Sequence, residues 1–511
     1  MSAMWLTLIL VGLLTLLIRR LAPTDRSYSH LPLPPGPKAS WLGKVSLPQT
    51  YPWRTYAQWK QIYGDIIYIS VFRNPILVLN SARAAADLLE KRSSNYSSRP
   101  TRTMIVELIG WDWLFSSMVY GSWWKRHRNM FHIYFRPNDS SDHHPLQIKE
   151  THTLLRNLLD HPDEFRYYCR RVAAAIILNV TYGHQVAEGG DDYVALADRA
   201  LSSLAQAGIF GTYLVDYIPI LKYVPAWFPF ASFKRKAFKW RASVREMVNK
   251  PFDMVKEAMG KGTATSCVVA QELEKRAAGF DFEEEDVIKN VAATTYAAGS
   301  DTFVSAVLSF FLVAALYPEI QAKAQQELDA VAVDRLPDFN DRSQLPFIES
   351  LCYELLRWNP VTPLGIAHYA SEDDEYEGYR IPKGTTVLPN VWAILHDPAV
   401  YPDPMAFNPS RFLDRKHNDS MGINPLPEPA FGFGRRMCPG RWFAFDAMWI
   451  VVASILSVYE ISKAVDENGQ TIEPKVEYES HLLSHPKPFK CRIVPRSHQT
   501  RSLIQQTDML E

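Results

Sequence analysis

Hydrophobic positions fall along this chain in several distinct patterns, and each predicts a different kind of element. Residues Ala3–Ile18 form a run without a charge, followed at once by Arg19 and Arg20. At about 1.5 Å per residue the run reaches roughly 24 Å, short for an average bilayer and adequate for a thin one. It lacks the basic leader and small-residue cleavage site of a secretory signal. Arginines on its C-terminal side keep the remainder of the chain in the cytosol. The pattern therefore predicts one membrane anchor over residues 1–22. The L-P-L-P-P-G-P stretch of Leu31–Pro37 has fixed φ angles and few N–H donors, so residues 23–40 are expected to be a stiff hinge and not a helix.

Beyond the hinge, helical spacing of apolar residues predicts helices at Trp53–Tyr63, Ala82–Lys91, His152–Tyr182, Tyr193–Gln206, Glu285–Leu316 and Trp442–Leu456. Short apolar runs at Ile66–Val71 and Ile76–Leu79, and a hairpin at Gly378–Val387 turned by Pro382 and Gly384, predict strands. The expected fold is mainly α with a smaller β-rich lobe, over residues 41–495. Residues 496–511 read as a polar, mobile tail. Two segments keep no period. Arg99–Ser122 holds Trp111, Trp113, Phe115 and Met118, as core or as pocket wall. Gly208–Phe233 is apolar but broken by Pro219, Pro225 and Pro229, which rules out a second membrane span. With Trp227, Phe228, Phe230 and Phe233 beside Lys234, Arg235 and Lys236, it is suited to lie on a membrane or to roof a pocket.

Charge and cysteine content narrow the function. Lys plus Arg and Asp plus Glu number 55 each, so no global field attracts nucleic acid. The five cysteines are scattered without a C-x-x-C pair, which indicates neither a disulfide framework nor a zinc cluster and suits a reducing compartment. The adjacent His143 and His144 point in different directions and make a poor metal site. Gly260–Thr263 lacks the spacing of a phosphate loop.

Candidate chemistry gathers at four places. Phe431–Gly440 reads F-G-F-G-R-R-M-C-P-G and sets Cys438 in a glycine-rich turn before an apolar helix. Backbone N–H groups there favour a thiolate, so Cys438 is placed to ligate a metal, with a buried structural cysteine as the alternative. Gly434 and Gly440 are expected to supply backbone conformations that other residues resist. Within the long predicted helix, A-A-G-S-D-T-F at Ala297–Phe303 combines a helix-weakening Gly299 with a carboxylate, Asp301. Two penalties in one turn point to function or to a packing notch. Trp124 and Arg128 share a helix face in W-W-K-R-H-R, and Glu354 and Arg357 stand three apart. Both patterns also occur on ordinary solvated helices.

Together these motifs resemble the cytochrome P-450 family over nearly the whole chain, in the style of fungal microsomal members associated with secondary metabolism. Phe431, Gly434, Arg436, Cys438 and Gly440 match its haem-ligand loop. The resemblance implies haem b with the Cys438 thiolate as axial ligand. Trp124, Arg128, Arg436 and His368 would hold the haem propionates. It implies an oxygen groove at Ala298 and Gly299, where the helix opens, and proton delivery by Asp301 and Thr302. Phe303 departs from the family pattern by standing where a second hydroxyl often follows. Glu354 and Arg357 would be completed by Arg411 of F-N-P-S-R-F as a buried structural lock, and Val361–Ile366 and His485–Phe489 would reach the pocket.

The implied enzyme is a monooxygenase of the endoplasmic reticulum membrane, single-pass, with its catalytic domain on the cytosolic face. It would take electrons from NADPH through a cytochrome reductase, with cytochrome b5 as a further donor, and insert one atom of O2 into a small apolar substrate of terpenoid, polyketide or indole type. Lys125, Arg126 and Arg435 are expected to dock the reductase. A reductase-independent haem-thiolate isomerase or dehydratase, or a non-enzymatic haem-binding membrane protein, would leave Asp301 and Thr302 without a task.

Overall fold

The longest apolar stretch becomes the longest helix. In the computed structural model, which describes residues 28, 30–38, 47–136, 141–209, 211–276, 282–413 and 424–510, Phe282–Leu316 is a helix of 35 residues. It begins three residues before the expected start, where Glu283, Glu284 and Glu285 lend negative charge to its N-terminus. It ends ahead of Pro318, which opens the helix Pro318–Val331. A helix apolar on every side needs neighbours on every side. Phe165–Tyr182, Ser122–Phe135, Ser232–Gly260 and Arg441–Val458 supply them. Both Phe282–Leu316 and Arg441–Val458 are long and apolar enough to cross a membrane, yet both are mostly buried within the core. The expected anchor at 1–22 lies outside the described residues.

Single residues decide several boundaries. The helix expected over His152–Tyr182 is two, His144–Asp160 and Phe165–Tyr182, separated at Pro162. Ala82–Lys91 begins as an α-helix and continues as a π-helical turn from Ala86. The tail expected to be mobile instead folds as the helix His498–Gln506, started by a capping box between Ser497 and Thr500. Its Ile504 is completely buried, and Arg156 Nη1 donates to Thr507 Oγ1 at 2.9 Å. One apolar anchor and a good cap hold a segment whose composition reads as solvated.

The β-rich lobe is a four-stranded sheet in the order β1-β2-β6-β3. Its strands are β1 (Ile66–Val71), β2 (Asn74–Leu79), β3 (His368–Tyr369) and β6 (Thr386–Pro389). Strands β4 (Asp374–Tyr376) and β5 (Tyr379–Ile381) form a separate hairpin, and β7 (Tyr459–Lys463) pairs with β8 (Cys491–Pro495). β2 and β6 are parallel, with Leu77 opposite Val387. This pairing joins an early and a later segment of the chain in one sheet and leaves β3, which carries His368, at its edge.

Glu354 is the fixed point beside it. Arg357 donates to both of its oxygens, at 2.6 and 2.8 Å, Arg411 Nε donates at 3.2 Å, and the Asn408 backbone N–H donates at 2.8 Å. The Glu354 and Arg357 side chains are fully buried. Arg357 also donates to the carbonyls of Leu395, Pro404 and Ala406. A surface pair would hold little, but this one ties the helix Pro346–Trp358 to the segment that leads into the cysteine loop.

Candidate active site

One cavity of about 300 Å³ gathers residues from nearly every motif. Ala298, Gly299, Thr302, Phe303 and Ala306 line it from a single face of the long helix, and Phe431, Gly432, Phe433, Arg436, Cys438, Pro439 and Gly440 line it from the cysteine loop. Trp124, Arg128 and His368 also border it. Of the five cysteines, all without disulfides, Cys438 alone opens into this space.

The loop is built by two different uses of glycine. Gly434 has φ +52°, and a Cβ there would run into the Leu89 carbonyl oxygen. Only glycine suits that position. Gly440 departs from the expectation, since its φ of −95° is open to any residue. It is the N-cap of the helix Arg441–Val458, and it presents its backbone N–H to Cys438. The Cys438 N–H donates to the Phe431 carbonyl at 2.7 Å, closing the turn. Burial pushes the Cys438 thiol up, while the Gly440 N–H and the charges of Arg128 and Arg441 pull it back only in part. The protein alone does not secure the thiolate, and a bound cation would.

The rim carries an excess of positive charge. Arg99, Arg128 and Arg436 all line the cavity, and no Asp or Glu does. Burial, then the neighbouring Arg128, pushes Arg436 down to about 9. Burial and Arg436 push Arg99 well below its ordinary value, and burial lowers Arg128. Arg436 donates to the Ser97, Phe115 and Met118 carbonyls, the first at 2.6 Å, and lies 4.3 Å over the Trp124 ring. His368 Nδ1 lies 2.8 Å from the Tyr96 carbonyl, so that nitrogen carries the proton and Nε2 is left as the group toward the cavity. Burial, then Arg99, holds His368 neutral. Three guanidiniums and an imidazole around an apolar cavity with a cysteine in its wall fit a planar metal macrocycle bearing two carboxylates.

Arg99 was not singled out by sequence. It donates from Nε to Ser116 O at 3.0 Å and from Nη1 to Ile366 O and Ala367 O at 2.7 and 2.8 Å. Phe115 is the aromatic of the Arg99–Ser122 segment that reaches the cavity, whereas Trp111 and Trp113 are core, Trp111 donating to Ser203 Oγ. Val361 and Ile366 line the cavity as expected. His143 and His144 are taken up by Tyr134 O and by the Phe339 ring with Asp446.

The helix does not open at Ala297–Phe303, which remains α-helical throughout. Thr302 Oγ1 donates to the Ala298 carbonyl at 2.7 Å, a bond that softens the turn without breaking it. A Cβ at Gly299 would come 2.8 Å from Ile177 Cδ1 and closer still to Cγ1, so the glycine also admits the helix Phe165–Tyr182. Asp301 points away from the cavity and is 7% exposed. Its Oδ1 is 3.2 Å from Arg170 Nη1 and 3.2 Å from His485 Nε2. Burial pushes its carboxyl up, but His485 and Arg170 outweigh this and hold it below the usual range.

On the surface beside Trp124, Arg126 pairs with Glu283 at 2.8 Å and with Glu284. Two acidic partners, 157 and 158 residues away, remove it as a free cation. Lys125 and Arg435 instead lie against the Tyr120 ring.

Comparison with known proteins agrees with this geometry. A family profile described as Cytochrome P450 matches residues 34–493. A cytochrome P450 monooxygenase of Armillaria gallica is 43% identical over 488 residues, covering 94% of this chain and 95% of its own. Cytochrome P450 monooxygenase 98 of Postia placenta is 43% identical over 488 residues, 94% of each chain. Cytochrome P450 monooxygenase COX2 of Coprinopsis cinerea is 42% identical over 481 residues, 93% of this chain and 91% of its own. A cavity with one cysteine and a cationic rim, matched along almost the full length of fungal enzymes, places this chain in the cytochrome P450 family of haem-thiolate monooxygenases.

Proposed function

We propose that this chain is a membrane-anchored, NADPH-dependent monooxygenase that oxidises a small apolar metabolite of fungal secondary metabolism, of terpenoid, polyketide or indole type. The observation that carries the reading is the meeting of Cys438 with Ala298, Gly299 and Thr302 in one apolar cavity. Cys438 would hold the haem iron, and Arg128, Trp124, His368 and Arg436, joined by Arg99 on the same rim, would hold the propionates. The cationic rim of Arg99, Arg128 and Arg436 would balance the charge of two carboxylates there. When bound, the haem supplies the electron transfer and dioxygen cleavage that place one oxygen atom on the substrate.

The chain's own residues do the rest. Thr302 presents a hydroxyl to the cavity, and Asp301, the residue before it, holds a proton-accepting carboxylate on the far side of the helix. Phe115, Ile177, Phe303, Val361 and Ile366 exclude water and orient an apolar substrate. An adjoining chamber lined by Ile105, Val106, Leu114, Ile209, Leu364 and Leu482 continues that apolar path. The exposed Trp227, Phe230 and Tyr223, at 79%, 84% and 74%, sit among Lys222, Lys234 and Arg235. That surface supports a reading in which the catalytic domain rests on the endoplasmic reticulum membrane, tethered by an anchor at 1–22 and a hinge at 23–40. Lys125 and Arg435, with no acidic partner among the described residues, are the proposed dock for an acidic reductase or cytochrome b5. Charge reversal at Lys125 raises the reductase concentration needed for turnover, and an unchanged requirement removes this dock.

Isotope labelling tests the reaction. Holoenzyme with reductase, NADPH and a substrate selected by its shift of the ferric haem spectrum incorporates one atom from labelled O2. Product formed without reductase, or carrying no label, favours the isomerase or dehydratase class instead.

A further inference from the structure

Four elements converge behind Asp301, on the side away from the cavity. Arg166 and Arg170 come from Phe165–Tyr182, Asp198 from Asp192–Gly208, Asp301 from the long helix, and His485 from the turn Ser484–Pro486. Arg170 Nη1 donates to Asp198 Oδ1 at 2.8 Å and to Asp301 Oδ1 at 3.2 Å. The Asp198 side chain is 47% exposed, so the cluster runs from solvent to the buried carboxylate.

The turn that carries His485 is fixed to the helix that carries Asp301. Ser305, one helical turn beyond Asp301, donates to the Ser484 carbonyl at 2.8 Å, and Asn359 Nδ2 donates to the same oxygen at 3.2 Å. Arg166 Nη2 donates to Pro486 O at 3.2 Å, and the Glu479 N–H donates to His485 O at 2.7 Å. These bonds set the imidazole against Asp301, with Nε2 at 3.2 Å. Both ring nitrogens are nevertheless buried without a hydrogen bond, the 3.2 Å approach lacking the required alignment. His368 shows the contrast, since its Nδ1 is locked on a carbonyl.

The groups around Asp301 differ in what they can do with a proton. A guanidinium keeps its protons, so Arg170 can hold Asp301 but cannot feed it. An imidazole accepts on one nitrogen and releases from the other near neutral pH. Of the two charged side chains against Asp301 Oδ1 among the described residues, only His485 can pass a proton on.

We propose that His485 is a proton-relay residue that recharges Asp301 during turnover; this rests on the monooxygenase reading above. In the step, the Nε2–H bond of the imidazolium breaks, its electron pair stays on Nε2, and the proton forms an O–H bond with Asp301 Oδ1. Nδ1 keeps the remaining proton, and a flip of the ring, opposed by no hydrogen bond on either nitrogen, turns the bare Nε2 outward to take the next proton from water and restore the imidazolium. Arg170 keeps the carboxylate in place between transfers. The charged groups facing the ring are Arg166, Arg170, Asp198, Asp301 and Glu479, and any pH profile belongs to that set.

The test combines a turnover measurement with one that needs no turnover. His485→Gln retains a polar side chain of similar reach and loses the relay. With the carbon monoxide band intact and KM unchanged, its kcat falls about tenfold or more, its solvent deuterium effect rises, and more NADPH electrons end in hydrogen peroxide. Independently, holoenzyme with isotope-labelled histidine is compared by NMR in its diamagnetic reduced carbon monoxide form, the His485 signal being assigned by its absence in His485→Gln or by difference in His485→Asn. In Asp301→Asn the His485 ring-nitrogen signals shift at fixed pH, because Nε2 loses the carboxylate 3.2 Å away. A wild-type kcat, isotope effect and pH profile in His485→Gln overturns the relay, as do His485 ring signals that ignore Asp301→Asn. If wild-type protein gives no reductase-dependent product, the monooxygenase reading fails, while the ring signals still decide whether His485 and Asp301 are coupled.

Discussion

Gly299→Ala separates the two reasons for a glycine in the middle of the long helix. The added Cβ would stand 2.8 Å from Ile177 Cδ1, nearer to Cγ1, and 3.3 Å from Cβ. Overpacking of this kind costs about 1–3 kcal/mol. Against it, alanine in a helix interior is worth about 1 kcal/mol more than glycine. The net expectation in the wild-type background is a loss of about 1 kcal/mol. Ile177→Ala removes the two atoms that clash and, as a large-to-small core change, costs about 2–5 kcal/mol by itself. Within that background the clash is gone and the helix gain remains, so Gly299→Ala becomes stabilising by about 1 kcal/mol. The sign reversal is the signature of a steric notch. Urea unfolding of the four proteins, followed by circular dichroism at equal slope, measures it. If Gly299→Ala stabilises both backgrounds equally, the glycine is not there to admit Ile177 and the reasoning fails.

Three other outcomes follow from the same geometry. Glu354→Ala leaves Arg357 and Arg411 buried without their carboxylate, so urea unfolding should show a loss of about 3–5 kcal/mol; a loss below about 1 kcal/mol would make the lock ornamental. Asp301 has a folded value held below the ordinary carboxylate range, so its charge stabilises the fold above about pH 4 and that contribution is lost as pH falls through the folded value. Asp301→Asn therefore weakens the acid dependence of stability, and an unaltered acid limb contradicts the assignment. In the full-length protein reconstituted into nanodiscs, amides over residues 219–230 exchange more slowly than in detergent-free solution of the same protein held by amphipathic polymer; equal exchange would detach that surface from the bilayer.

How much the sequence reveals depends on whether a feature is local. The Phe431–Gly440 loop, the Trp124 and Arg128 pair and the Glu354 and Arg357 pair are legible because each is written in a few neighbouring letters whose spacing survives folding, whereas Arg411 joins Glu354 from 57 residues on and is legible only through the family resemblance. Gly440 shows the limit even there, since its letter suggests backbone freedom and its φ of −95° uses none. Arg99 is hidden in R-P-T-R, and its cavity-lining role depends on Ile366 and Ala367, 267 and 268 residues later. Arg126 looks like a docking cation until the N-terminus of the long helix brings Glu283 and Glu284 against it. His485 and Asp301 are brought together by a turn whose anchoring bonds come from Ser305 and Asn359. The tail misleads for the opposite reason: its composition is polar, yet a buried Ile504, a capping box and the Arg156–Thr507 hydrogen bond dock it.

The carbon monoxide difference spectrum of the reduced protein decides directly whether Cys438, and none of Cys169, Cys267, Cys352 or Cys491, is the thiolate ligand of the haem. Wild type shows the Soret position of a thiolate-ligated haem, Cys438→Ala loses it, and alanine at any of the other four cysteines leaves it in place. A Cys438→Ala protein that keeps the thiolate band would contradict the account.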